Sequence, residues 1–155
     1  MRWSRRVSTL NLKTSNLGTS SVVIEHEFKL RVRYEETDTM QVVHYSKYFI
    51  WFEAGRIELL RSIGLSYRDV EKRGLLLPVV EAKANYLAPA RFDDEILVKT
   101  RLTNMGNTSV RLENEVFKLP EKTLLCTGYT VHVLVDREGK PTKIPEDFMK
   151  KFRPG

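Results

Sequence analysis

The residues best placed for chemistry form one acidic loop, Glu35-Glu36-Thr37-Asp38-Thr39-Met40-Gln41-Val42-Val43-His44-Tyr45-Ser46, just ahead of a stretch with helical spacing. A helix start presents unpaired backbone N–H groups and the positive end of a dipole, which suits a carbonyl oxygen that must be polarised or an oxyanion that develops from it. A carboxylate a few residues upstream can face the same carbonyl, as nucleophile or as a base for water. Such a pair serves acyl transfer. The same acids also fit a purely structural role, because carboxylates ahead of a helix favour its dipole and occupy turns. His44 adds a second acid or base to the loop, or else a polar contact at the helix start.

Other side chains carry less. Cys126 is the single cysteine, so the chain forms no intrachain disulfide and no cysteine-based metal site, and it reads as a core residue of a protein from a reducing compartment. The three histidines are scattered without ligand spacing, and neither a metal nor a cofactor is expected. His26 reads as solvated ahead of the first strand. His132 alternates with Val131 and Val133, on the face of Cys126, Gly128 and Thr130, and is expected in a hydrogen-bonded interior or interface role. Glu53, Arg56, Glu58 and Arg61 stand at helical offsets and read as surface or interface ion pairs. The sequence contains neither a glycine-rich phosphate loop nor a serine elbow with its histidine and acid.

The elements that must position the loop follow from periodicity. Glu27 to Tyr34 alternates strictly, with Phe28, Leu30, Val32 and Tyr34 on one side, and predicts a half-buried strand. Ser46 to Ile63 changes to helical spacing and ends at Gly64, which can supply the positive φ of a helix stop. Its first half is apolar nearly all round, which predicts enclosure on more than one side. A short helix is expected over Ser66 to Arg73. Strands are expected over Leu75 to Leu87, Glu95 to Met105, Ser109 to Leu119 and Thr123 to Val135, and a terminal helix over Pro145 to Phe152. Four strands with no helical crossover imply an antiparallel sheet, so the fold class is α+β. A sheet wrapped around one helix leaves an edge strand free, which favours a dimer.

A chain of 155 residues, 41% hydrophobic and 30% charged, makes one soluble domain rather than a disordered or collagen-like one. Its densest apolar run, Tyr48 to Phe52, is too short to cross a bilayer. The formal charge of +6 is concentrated at the start, where Arg2, Arg5, Arg6 and Lys13 meet no acid, so a nearly balanced body speaks against nucleic acid as a partner. Residues 1–24 are taken as an N-terminal extension, a transit peptide, a tail or the product of an upstream start codon, and residues 25–155 as the domain. A cytoplasmic location is expected, with organelle targeting by the extension as the alternative.

Two blocks resemble a known family. Tyr34-Glu35-Glu36-Thr37-Asp38 with Val42 to Tyr48 and Trp51 to Arg56, followed by Tyr86-Leu87-Ala88-Pro89-Ala90-Arg91-Phe92-Asp93-Asp94-Glu95, are similar to the 4-hydroxybenzoyl-CoA thioesterase family. The similarity is closest to the branch that includes the Tol–Pal-associated thioesterases. The resemblance implies a hotdog fold, a five-stranded antiparallel sheet around one long helix, and hydrolysis of an acyl-CoA or acyl carrier protein thioester by a homodimer or homotetramer. It implies Asp38 as the catalytic carboxylate and the backbone N–H of Tyr45 as the contact polarising the carbonyl; His44, whose order with Tyr45 is reversed relative to the family's usual Tyr-His, is a catalytic candidate only by its place in the loop. Val43, Arg91 and Thr108 are the implied substrate contacts. Gln41 departs from the family pattern, where glycine is usual, which predicts an altered turn and a side chain crowding the thioester. The alternatives are a hotdog enoyl-CoA hydratase or dehydratase and a non-catalytic acyl-CoA binding protein, with a nucleic-acid binder third.

Overall fold

The computed structural model describes residues 24–153. The proposed extension lies outside the described residues except for Ile24, which already opens the first strand. In chain order the elements are β1 (Ile24–Arg31), a 3-10 turn (Tyr34–Glu36), α1 (Lys47–Ser62), α2 (Tyr67–Lys72), β2 (Val79–Tyr86), β3 (Glu95–Met105), β4 (Ser109–Lys118), β5 (Thr123–Val133) and α3 (Glu146–Lys151). All strand pairs are antiparallel, in the order β1-β3-β4-β5-β2, so the α+β expectation of one sheet around a long helix holds.

Helix α1 forms because Tyr48, Trp51, Phe52, Gly55, Leu59 and Leu60 recur at helical spacing and bury one stripe against the sheet. At 16 residues it runs about 24 Å. It ends where predicted, with Gly64 at φ 78°. Glycine is required where α1 sits on the sheet: a Cβ at Gly55 would stand 2.4 Å from Thr100 Oγ1, and one at Gly128 would stand 2.3 Å from the Lys83 carbonyl oxygen. The core divides in two. One cluster, with Val43, Tyr48, Trp51, Phe52, Ala90, Val98 and Val116, backs the acidic loop; the other, with Leu59, Leu102, Leu134, Ile144 and Phe148, fills the far end. Between them run buried polar residues that satisfy one another: the Thr100 hydroxyl donates to Asn114 Oδ1 at 2.9 Å, and the Thr130 hydroxyl lies 2.9 Å from His132 Nε2.

Several expectations are corrected. The first strand starts and stops three residues early relative to Glu27 to Tyr34, because Ile24 pairs with Leu102 and β3 begins at Glu95, opposite Arg31. Beyond Arg31 there is no partner strand among the described residues, and Tyr34 turns outward at 78% exposure instead of entering the core. His26 lies within β1 on its inward-facing side. The expected β2 loses its start: Leu76 makes only an isolated bridge to Val135, and the ladder begins at Val79. In the apolar first half of α1 Tyr48, Trp51 and Phe52 are buried, while Ile50 remains 48% exposed. Arg56 is buried rather than a surface ion pair, its Nε donating to the Tyr67 hydroxyl at 2.6 Å, whereas Arg61 does pair with Glu58.

Candidate active site

The acidic loop folds as a small hairpin laid on the end of the sheet. Thr37 and Val43 form an antiparallel bridge, Asp38 N–H donates to the Val42 carbonyl at 3.0 Å, and Gln41 N–H donates to the Asp38 carbonyl at 2.9 Å. This is a tight turn followed by a left-handed residue, Gln41 at φ 62°. Gln41 therefore adopts the conformation glycine would give, at a cost of about 1 kcal/mol, and the turn is not altered as predicted. Its side chain is exposed and does not line the cleft below. Val43 N–H donates to the Ala90 carbonyl at 2.8 Å, which ties the hairpin to the Pro89–Arg91 segment.

Asp38 opens on a cleft of about 170 Å³ lined by Met40, Val42, Val43, Tyr45, Tyr48, Tyr86 and Pro89. One carboxylate oxygen, Oδ1, accepts the Met40 N–H at 2.8 Å, an Asx turn that fixes the side chain. The other has no hydrogen-bond partner among the described residues and is free to act on a ligand. On the far side of the hairpin the chain enters α1. Ser46 occupies the N-cap position without capping the helix: its backbone is already helical, at φ −65° and ψ −24°, and its hydroxyl lies 2.7 Å from His44 Nδ1. The backbone N–H of Tyr45 donates to no protein acceptor among the described residues. Asp38, with its unpartnered carboxylate oxygen, and Tyr45, with its unused amide two residues ahead of α1, thus border the same apolar cleft. That arrangement can polarise a carbonyl and deliver oxygen to it.

Tyr86 holds the amide side in place, donating its hydroxyl to the Tyr45 carbonyl at 2.9 Å. Its ring meets Tyr48 edge to face at 5.1 Å, and Tyr48 in turn lies 4.8 Å from Trp51. Burial pushes the Tyr48 hydroxyl up to about 12 and raises that of Tyr86, so both stay protonated at neutral pH. Burial also pushes the Cys126 thiol up to about 12, which removes it as a thiolate nucleophile beside the site.

The structure brings Asp38, Tyr45 and Val43 together at the cleft. Arg91 is exposed on the neighbouring rim, with Nη1 3.5 Å from the Gln41 carbonyl oxygen. His44 engages Ser46 through Nδ1, meets the Tyr45 ring at a tilt of 32° with centroids 4.3 Å apart, and is not among the lining residues. Thr108 is separated from the cleft within this subunit, since the β3–β4 turn lies at the far end of the sheet, where the Thr108 carbonyl accepts Leu134 N–H at 2.7 Å. His132 is interior, between the Leu77 carbonyl and Thr130. Sequence reasoning missed Glu36 and Tyr86 as parts of the site. A tryptophan indole N–H in an apolar helix needs a buried acceptor, and that need was the one signal that some acid of the loop turns inward.

Residues 32–152 match the family described as the thioesterase-like superfamily. The chain is 31% identical over 125 residues to the acyl-CoA thioester hydrolase YbgC of Escherichia coli, covering 80% of this chain and 92% of that one. It is also 31% identical over 127 residues to the chloroplastic acyl-acyl carrier protein thioesterase ATL3 of Arabidopsis thaliana, covering 82% and 67%. The solved structure of a DHNA-CoA thioesterase from Staphylococcus aureus superposes with a TM-score of 0.79 at 26% identity, covering 83% of this chain and 88% of that one.

Proposed function

This chain belongs to the thioesterase-like superfamily, and from that premise we propose that Asp38 and the Tyr45 backbone amide together perform its reaction. The activity is hydrolysis of an acyl-CoA thioester to the free acid and CoA. The thioester carbonyl oxygen accepts the Tyr45 N–H at the opening of α1, which draws electron density from the carbonyl carbon. The free oxygen of Asp38 then acts from the other side. By direct attack it forms a C–O bond while the C–S bond breaks, giving an acyl anhydride that water opens. As a base it takes a proton from water while the hydroxide forms the C–O bond and the C–S bond breaks; in either route the departing thiolate takes up a proton that came from water. Both routes end with the acid and a thiol, and both need the same carboxylate and the same amide. The supporting observation is the single cleft that carries an unpartnered carboxylate oxygen together with an unused helix-start amide.

The apolar lining, Val42, Val43, Tyr48 and Pro89, receives the acyl group, and Arg91 on the rim meets a phosphate of the carrier. An acyl carrier protein is the second reading of the carrier, favoured by the similarity to ATL3. The working unit is a homodimer: among the described residues β2 is paired on one side only, Val80 on it is 58% exposed, and beside it Phe49, Ile50, Val79 and Ala82 line an open cleft of about 230 Å³. The unpaired Cys126 fits a reducing, cytoplasmic setting. The test is thiol release from a panel of acyl-CoA and acyl carrier protein thioesters by the purified protein. Release from at least one supports the reading, and binding with no release from any refutes it.

A further inference from the structure

Glu36 is a buried carboxylate, 2% exposed, whose every polar group is engaged. Oε1 accepts the Arg33 N–H at 2.8 Å, and Oε2 accepts the Trp51 indole N–H at 2.8 Å. Its backbone carbonyl accepts the His44 N–H at 2.9 Å. These bonds have a particular arrangement in the chain. Glu36 stands two residues before Asp38, and His44 stands one residue before Tyr45. The backbone bond between Glu36 and His44 therefore joins the carboxylate arm of the hairpin to the amide arm. The side-chain bond to Trp51 fastens both arms to α1, the helix that opens next to Tyr45.

We propose that Glu36 is a positioning residue for the thioesterase site, setting the separation between the Asp38 carboxylate and the Tyr45 amide through its bonds to Trp51 and His44. The inference rests on the assignment of Asp38 and Tyr45 above. Acyl transfer between two fixed groups is sensitive to their spacing, and a displacement of about 1 Å costs up to roughly 100-fold in rate. Burial makes the clamp stiff. Because each carboxylate oxygen faces an N–H donor, an amide of the same shape at position 36 satisfies one donor and sets its own NH2 against the other. The hairpin must then shift relative to α1.

The experiment compares wild type, Glu36→Gln, Trp51→Phe, the double variant and Asp38→Asn in steady-state thiol release, with circular dichroism to establish folding. Glu36→Gln is expected to lower kcat about 10- to 100-fold with KM little changed. Trp51→Phe removes the indole N–H that Glu36 accepts and is expected to lower kcat likewise. Because both substitutions act on the contact between position 36 and the indole, the double variant is expected to lose less than the product of the two single losses, whereas independent structural defects multiply. Folded Glu36→Gln with kcat close to wild type overturns the proposal, as does multiplication of the two losses. If Glu36→Gln does not fold, Trp51→Phe decides: a fall in kcat at steady KM supports the clamp, and an unchanged kcat overturns it. Asp38→Asn separates the two levels of inference. Near-normal turnover by that variant brings down the site assignment itself. An inactive Asp38→Asn beside an unimpaired Glu36→Gln brings down the positioning role alone.

Discussion

Gly128→Ala is expected to destabilise the protein by about 3 kcal/mol, at the upper end of the usual cost of overpacking. The magnitude follows from two contacts of different kinds. A Cβ at this position would stand 2.7 Å from the Phe52 ring and 2.3 Å from the Lys83 carbonyl oxygen. The ring can retreat by changing rotamer, at the expense of its packing in the cluster that backs the active-site hairpin. The carbonyl cannot, because it belongs to β2, held to β5 by the ladder that pairs Lys83 with Tyr129 and Ala84 with Gly128. Relief requires moving the edge strand by about 1 Å to reach ordinary contact distance, which weakens the ladder that also carries Tyr86. Urea unfolding followed by circular dichroism reads the effect as a lower midpoint at unchanged slope. Shrinking the ring with Phe52→Leu in the Gly128→Ala background should not restore stability, since the backbone obstacle remains. A loss below about 1 kcal/mol, or full rescue by Phe52→Leu, would refute the close-approach argument.

Three further outcomes are expected. Burial, aided by the Arg56 charge, holds His132 down at about 4, against 6.5 in the unfolded chain. Between these values the folded state binds fewer protons, so stability falls as pH drops from 6.5 towards 4, by up to roughly 3 kcal/mol; urea unfolding at pH 7 and 4.5 should show a larger loss in wild type than in His132→Asn. Gln41→Gly relieves about 1 kcal/mol of left-handed strain but adds a similar freedom to the unfolded chain, so unfolding midpoint and KM should both stay near wild type. Tyr86→Phe removes the bond to the Tyr45 carbonyl and should lower kcat roughly fivefold, the equivalent of about 1 kcal/mol, in thiol-release kinetics with the fold intact.

Much of this fold could be read directly because its signals are local. The helix from Ser46 to Ile63 and the strand from Glu95 to Met105 fall where spacing and turn residues put them, since apolar periodicity and Gly64 act over a few residues. What escaped depends on distant partners. The alternation of β1 runs on to Tyr34, but where the strand stops is set by the first residue of β3, some sixty positions later. Arg56 has the offset of a surface ion pair, and only the packing of α2 over α1 shows that it is covered by Tyr67. The loop announces itself by its acids and by the helix after it, yet nothing in the string tells Glu36 from Glu35. One is buried on Trp51 and the other is exposed, a distinction made by the 3-10 turn at Tyr34–Glu36. Gln41 shows the reverse case, where an unusual residue type predicts a changed turn and the hairpin's own bonds keep it.

The most direct test of the account is the turnover number of Asp38→Asn on a thioester the wild-type protein hydrolyses. Asparagine keeps the shape and can still accept the Met40 N–H, so the turn should persist and the circular dichroism spectrum should be unchanged. The account predicts a fall in kcat of at least about 100-fold, because a neutral amide neither attacks a carbonyl nor takes a proton from water. Turnover within a few-fold of wild type by the folded variant contradicts it.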